Sequence, residues 1–293
     1  MPTGDLVPSS DGQLAMTVGP WAKEKLHYIR HYCYIFNTGM KSKWRTRAYI
    51  DLFSGPGKCV VETTGEELDG SPLIALQCDE PFSHYFFNDI NPHSITSLQN
   101  RVSSFTSAQI NYFNKDCNEL VDDLLQKLPP SSLDFCFIDP TNWQIKFDSI
   151  RRLVKDRRMD LAITFHTGAI KRYADVAPEK LDDFFGDSAW RNEYKNMLLS
   201  GKREGSRVLL DAYENRLRGL GYKDIQDRVL VRGPRNLPLY HLIFASKHWR
   251  GKDFWNKISQ RSSQGQWRLP LEENRSLMVS TNCLLYTSPS PRD

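Results

Sequence analysis

No stretch of this chain approaches the ~20 consecutive apolar residues that a bilayer-crossing helix needs. Its first residues also lack a basic segment followed by an apolar one. Neither a membrane span nor export is expected, and the chain reads as cytoplasmic. The six cysteines (Cys33, Cys59, Cys78, Cys117, Cys136 and Cys283) contain no C-x-x-C pair, which removes the commonest zinc and redox frameworks. His27 and His31 stand only four apart, on what reads as an amphipathic helix. Metal ligation is therefore not expected, and reduced thiols are. A third absence is more specific. After the apolar run Ala48–Phe53 come Gly55 and Gly57, but no G-x-G-x-x-G running into a helix, so a dinucleotide fingerprint is incomplete.

What is present is an ordinary globular composition. With 293 residues, 40% hydrophobic and 25% charged, the chain can bury one sizeable core, and one elaborated domain is expected. The boundaries read as a loose Gly/Ser/Pro-bearing tail over 1–18, a folded unit over 19–260, and a polar tail over 261–293. The last eleven residues, Cys283–Asp293, resemble translated adapter sequence and are set aside, Cys283 with them.

The organising stretch is Arg47–Gly57, R-A-Y-I-D-L-F-S-G-P-G. A short apolar run that stops at glycines reads as a buried parallel strand delivering its tip to a tight loop. Asp51 lies inside the run, where an unpaired carboxylate is costly, and Gly55 and Gly57 allow close backbone approach to a bound molecule. D-x-F-x-G-x-G at a strand tip resembles motif I of class I S-adenosylmethionine (SAM)-dependent methyltransferases. That resemblance implies a cofactor loop of Asp51, Phe53, Ser54, Gly55 and Gly57 around the amino-acid end of SAM.

The remaining strands follow in order. Trp21–Thr38 reads as an amphipathic helix that packs on the sheet. Lys58–Gly70 carries Glu62, Glu66, Glu67 and Asp69 without a clear period and reads as a mobile flap. Ser71-Pro72 opens a helix, with Ser71 as its cap. His84–Asn88 is a second strand with Asp89 at its tip, where a carboxylate can accept ribose hydroxyls. The alternative for Asp89 is a helix cap before Asn91-Pro92. Gln109–Asn114 is a third strand, followed by Asp116, which suits either an adenine amino group or the N-terminus of the next helix.

Leu133–Ile138 is the fourth strand, ending in Asp139-Pro140-Thr141-Asn142-Trp143. Asp139 and Pro140 are the candidates for contact with a methyl-accepting group. Trp143 is a candidate to stack a base or to fill the core. Met159–Phe165 is the fifth strand, and His166 at its tip is the histidine best placed for chemistry. Two or three helices then form an insertion over about 168–220. Strands around Ile225–Val231 and Leu239–Ala245 close a seven-stranded, mostly parallel sheet with helices on both faces. The expected fold class is α/β, Rossmann-like, of class I methyltransferase type.

Charge is uneven along the chain. Ala48 to Pro140 holds 4 Lys/Arg against 14 Asp/Glu, whereas Thr141 to Gln260 holds 24 against 15. A basic second half, the runs Arg151-Arg152 and Lys155–Arg158, and the connector Lys41–Arg47 around Trp44 together suggest nucleic acid as a partner. A solvated charged surface is the alternative.

Assembled, the blocks resemble a family. Trp21 with Lys25-Leu26 and Tyr32, Tyr49–Gly57, Gly70–Leu76, Phe137–Pro140 and Tyr240–Ser246 with Trp255 are similar to the three-Cys-motif partner proteins (TcmP), over about Gly19 to Ser259. The resemblance implies a SAM-methyltransferase-like fold of bacterial or phage origin and a partner protein carrying three cysteines. The family's F-I-D-P-F-G-W is here Phe137-Ile-Asp-Pro-Thr-Asn-Trp143. The block also departs from the N/D-P-P-Y/F/W of nucleobase amino-methyltransferases, because Thr141 replaces the second proline. Two readings stand beside the enzyme. One is a non-catalytic binding module that docks the three-cysteine protein. The other is a metal-dependent nuclease using Asp51, Asp89 and Asp139.

Overall fold

Alternate residues of the central strands are apolar on both sides, so a sheet built from them must be covered on both faces. A computed structural model of the chain, describing residues 4–103, 109–201, 204–233, 236–260 and 265, has this arrangement. The N-terminal part holds β1 (Leu6–Pro8), β2 (Leu14–Val18), α1 (Ala22–Met40), β3 (Arg47–Asp51), β4 (Lys58–Val61), β5 (Glu67–Asp69) and α2 (Ser71–Leu76). The middle holds β6 (His84–Asn88), α3 (Pro92–Val102), β7 (Gln109–Phe113), α4 (Val121–Lys127), β8 (Leu133–Ile138), α5 (Phe147–Val154) and β9 (Arg158–Phe165). There follow α6 (Thr167–Val176), a 3-10 turn at Pro178–Leu181, α7 (Asp182–Phe185), α8 (Ala189–Leu199), α9 (Gly205–Gly219), β10 (Asp224–Arg232), β11 (Pro238–Ser246) and α10 (Trp249–Ser259).

The main sheet has seven strands in the order β10-β11-β9-β8-β3-β6-β7. All run parallel except β11, which pairs antiparallel with both β9 and β10. The order reverses between β3 and β8, which places the switch point at their shared C-terminal edge. This is the Rossmann-like class I methyltransferase arrangement, as expected. Tyr49, Phe135, Phe137, Ala162 and Phe244 point to a layer that includes α1, α2, α3 and α10. Ile50, Cys136, Ile138, Leu161 and Ile163 point to a second layer that includes α4, α5, α6 and α9. The period-2 alternation of the strands divides the core between the two faces.

The tail expected to be loose is not. β1 and β2 pair, β2 lies parallel to β4 with Met16 opposite Cys59 and Val18 opposite Val61, and β4 pairs with β5. The result is an accessory sheet of four strands, β1-β2-β4-β5. The segment expected to be a mobile flap supplies half of it, so backbone hydrogen bonds hold both pieces. Arg101 on α3 ties this sheet to the glycine loop. Its guanidinium donates to the Leu14 and Pro56 carbonyls, at 2.6 Å each, and to both oxygens of Asp11. That guanidinium holds the Asp11 carboxyl well below its usual range.

Between β9 and β10 the chain runs through α6 to α9, whose aromatics Phe184, Phe185 and Trp190 are buried core. Lys202, Arg203, Pro234 and the tail from Ser262 through Cys283 and Asp293, apart from Gly265, lie outside the described residues. Among the described residues no helix is long and apolar enough to cross a membrane.

Candidate functional site

At the tips of β3 and β8 the two parallel strands hand the chain to different loops, and a cleft opens between them. A cavity of about 230 Å³ fills that cleft. Phe53–Gly57 lines one side, Asp139, Pro140, Thr141 and His166 another, and Met16–Val18 of the accessory sheet covers it with Trp21 and Lys25. Gly55 and Gly57 have φ of +60° and +90°, a region that L side chains adopt at a cost. A Cβ on Gly57 would also lie 2.8 Å from Leu98 Cδ1.

Ser54 donates its backbone N–H to the Asn88 carbonyl, at 2.8 Å. Ser54 lines the cavity, and its side-chain Oγ is buried and has no hydrogen-bond partner among the described residues. Beside a cavity, a hydroxyl left in this way keeps hydrogen-bonding capacity that a bound polar atom could use.

The candidate carboxylates take different positions. Asp51 is fully buried beneath the loop and does not line the cavity. It accepts from Ser71 Oγ (2.6 Å), Tyr49 OH (3.3 Å) and the Phe53 N–H (3.2 Å). Burial pushes it up to about 7, against these hydrogen bonds. Its position is that of a brace under Phe53 and Ser71, both of which reach the cavity. Ser71 is not the cap expected: it is the first helical residue and its hydroxyl donates to Asp51, while Gly70 is the N-cap.

Asp89 accepts from the Gly55 and Asn91 N–H groups, at 3.0 and 2.8 Å, and burial raises it. It holds the outer side of the glycine loop, beside the exposed Ile90. Asp116 accepts from the backbone and side chain of Asn118, at 2.7 and 2.9 Å, in the turn before α4. Asp89 and Asp116 are both absent from the lining of the cavity.

Asp139 forms an ion pair with Lys25, and both side chains are about four-fifths buried. The Lys25 ammonium also lies 5.5 Å from the centre of the Tyr240 ring. His166 Nε2 is 2.6 Å from the Pro140 carbonyl, which can only accept, so Nε2 carries the proton. Burial lowers the His166 pKa, while Asp139 pulls the other way. A neutral His166 thus has its N–H engaged, and only Nδ1 remains for base chemistry.

Trp143 does not reach the cavity. Its ring packs 4.2 Å from that of Tyr173 on α6, against the core of the insertion side. The three carboxylates named for a nuclease do not gather. Asp51, Asp89 and Asp139 each have different partners, and no group of three or more candidate metal ligands occurs among the described residues.

Sequence reasoning treated Lys25 and Tyr240 only as parts of a family block, and missed Met16, Arg101 and the partnership of Ser71 with Asp51. For Lys25 the available signal was its place one turn after Trp21 on the helix that enters the sheet.

No family model and no curated protein matches the chain. Similar solved structures do exist. Protein LPL1258 from Legionella pneumophila shares 10% identity at a TM-score of 0.50, over 81% of this chain and 91% of that one. Trm1 from Pyrococcus horikoshii, solved with S-adenosyl-L-methionine, shares 11% at 0.46, over 88% and 62%. TYW2 from M. jannaschii, in complex with AdoMet, shares 10% at 0.42, over 84% and 86%. The likeness to LPL1258 is one of fold.

Proposed function

We propose that this chain is a SAM-dependent methyltransferase of the three-Cys-motif partner type, with its cofactor at the β3–β8 switch point. The observation that carries the reading is the unpartnered, buried Ser54 Oγ beside two positive-φ glycines in a covered cavity. The segments that resemble the family meet there: Lys25 from α1, the glycine loop after β3, Asp139-Pro140 after β8, and Ser71. Ser54, Gly55 and Gly57 would hold the amino-acid end of the cofactor, with Asp89 and Asp116 toward its adenosine end. Each Asp89 oxygen already takes one N–H, but a carboxylate has about four lone-pair sites, so acceptor capacity for ribose remains. When bound, SAM supplies a methyl group carried on positively charged sulfur.

The chain's own residues then supply position and charge. Lys25 fixes the Asp139 carboxylate at the cavity wall, and the carboxylate's free lone pairs orient an acceptor N–H or O–H. The accessory sheet covers part of the cavity through Met16–Val18. A three-cysteine partner protein remains part of this proposal on the family resemblance, and nucleic acid remains a candidate acceptor.

Calorimetry with SAM and with its demethylated product should show one site, weakened at least tenfold in Gly57→Ala. A folded protein that binds neither compound refutes the reading. Transfer of labelled methyl to total DNA, RNA or protein extract, lost in Asp139→Ala, identifies the acceptor class. Binding with no transfer to any fraction, even with the three-cysteine protein added, would instead make the chain a binding module.

A further inference from the structure

The basic segments point away from the cavity just described. Lys41–Arg47 ends where β3 begins and Lys155–Arg158 ends where β9 begins, so both lie at the N-terminal edge of the parallel strands. β11 runs the other way and brings Ser246–Arg250 to the same edge. β9 separates Arg158 from His166 by eight residues, or roughly 26 Å at a strand's rise. The field of these cations therefore acts at a second place.

A cavity of about 500 Å³ opens at that edge, in the range of small-molecule sites. Its floor is apolar, from Phe36, Met40, Leu133 and Phe254, and its rim is aromatic and cationic. Arg158 lies over the Trp44 ring at 5.3 Å, and Arg250 over the Trp249 ring at 5.3 Å. An arginine stacked this way keeps its N–H fork available for phosphate. Trp249 is 60% exposed, although it stands beside an apolar cavity.

Lys43, Arg158 and Arg250 have no carboxylate partner among the described residues. Arg151, Arg152 and Arg157, by contrast, are each ion-paired. The one acid that lines the cavity among the described residues, Asp160, is buried and accepts a hydrogen bond from Tyr32, at 2.6 Å.

We infer that this cleft binds a nucleotide unit, with the base stacked on Trp249 and the phosphate held by Lys43, Arg158 and Arg250. Free cations supply phosphate affinity, and an exposed indole supplies a face for any base, without sequence readout. The unit is either a free mononucleotide or one position of a single strand. The inference does not rest on the methyltransferase reading, since the two sites lie at opposite edges of the sheet.

The test is fluorescence anisotropy of a labelled ten-residue oligouridylate with the full chain. Saturating S-adenosylhomocysteine is present to occupy the other cavity, and unlabelled uridine 5′-monophosphate serves as competitor. Trp249→Ala and Arg158→Glu should each weaken binding about tenfold or more, while Lys195→Glu on the exposed face of α8 should change it less than twofold. All three positions are exposed, and melting curves confirm folding. Competition by the monophosphate at comparable affinity identifies a free-nucleotide site, and competition only by the oligomer identifies a strand site. No binding by the wild type, or equal weakening by Arg158→Glu and Lys195→Glu, overturns the inference. Unchanged binding in Trp249→Ala overturns the stacking on which it depends.

Discussion

Replacing Asp51 by Asn removes an ionisable group from the middle of the sheet without changing its shape. The Phe53 N–H can still donate to the amide oxygen, and Ser71, a hydroxyl, can turn to accept from the amide nitrogen. In the wild type burial pushes the folded-state value up to about 7, against ~3.9 in an unfolded chain. A carboxyl raised in this way binds more protons folded than unfolded between those two values. Stability therefore falls as pH rises from about 4 to about 7 and then levels off. Integrated between pH 5 and 8, this single group removes about 2–3 kcal/mol. Asp160 is pushed up to about 6 and shifts in the same direction, but it is common to both proteins. The quantity to measure is the loss of unfolding free energy from pH 5 to 8, by urea titration, in wild type and in Asp51→Asn. The wild type should lose about 2–3 kcal/mol more than the variant. If both lose the same amount, Asp51 is already ionised in the folded protein, and its assignment as a buried, half-titrated brace is wrong.

Arg101→Met should cost about 2–3 kcal/mol, since it leaves the Leu14 and Pro56 carbonyls and the Asp11 carboxylate without their donor. Hydrogen exchange should show protection lost in β1 and β2 while β8 keeps it, and uniform protection would contradict a latch. Gly57→Ala forces a side chain to φ +90° against Leu98 and should lower stability by about 1–3 kcal/mol. An unchanged melting temperature would show that the loop relaxes freely.

The main sheet was legible because β3, β8 and β9 are buried on both faces and so stand out as apolar runs between turn residues. Of the proposed site, Phe53, Ser54, Gly55, Gly57, Asp139, Pro140 and His166 do line one cavity, because strand tips converge wherever a parallel sheet reverses its order. Asp51, Asp89, Asp116 and Trp143 stand apart from it. Type and spacing place a carboxylate at a strand tip but do not say whether backbone N–H groups have already taken its lone pairs. The accessory sheet was not legible. β1 and β2 are three and five residues long, have little period, and depend on pairing with β4 and on Arg101, which are distant in sequence.

The basic runs teach something different, because their location could have been read. A segment that ends where a parallel strand begins must lie at the edge opposite the strand tips, whatever its charge. Lys41–Arg47 and Lys155–Arg158 both satisfy that condition, so neither can supply the field around Asp139. Around the tip cavity Lys25, Lys58 and Arg101 each have a carboxylate partner, and their charge is largely spent within the protein. At the opposite edge Lys43, Arg158 and Arg250 have none among the described residues. Attraction for an anion follows the unpaired cations rather than the total, because a paired charge presents a dipole whose field falls off faster than that of a monopole. An acceptor carrying phosphates would thus meet its strongest attraction roughly 20 Å or more from the methyl-transfer cavity, at the far end of strands such as β9. A long nucleic acid can reach both edges, whereas a small anionic substrate cannot. Salt sensitivity of methyl transfer would therefore separate an acceptor that touches both edges from one that touches only the cavity.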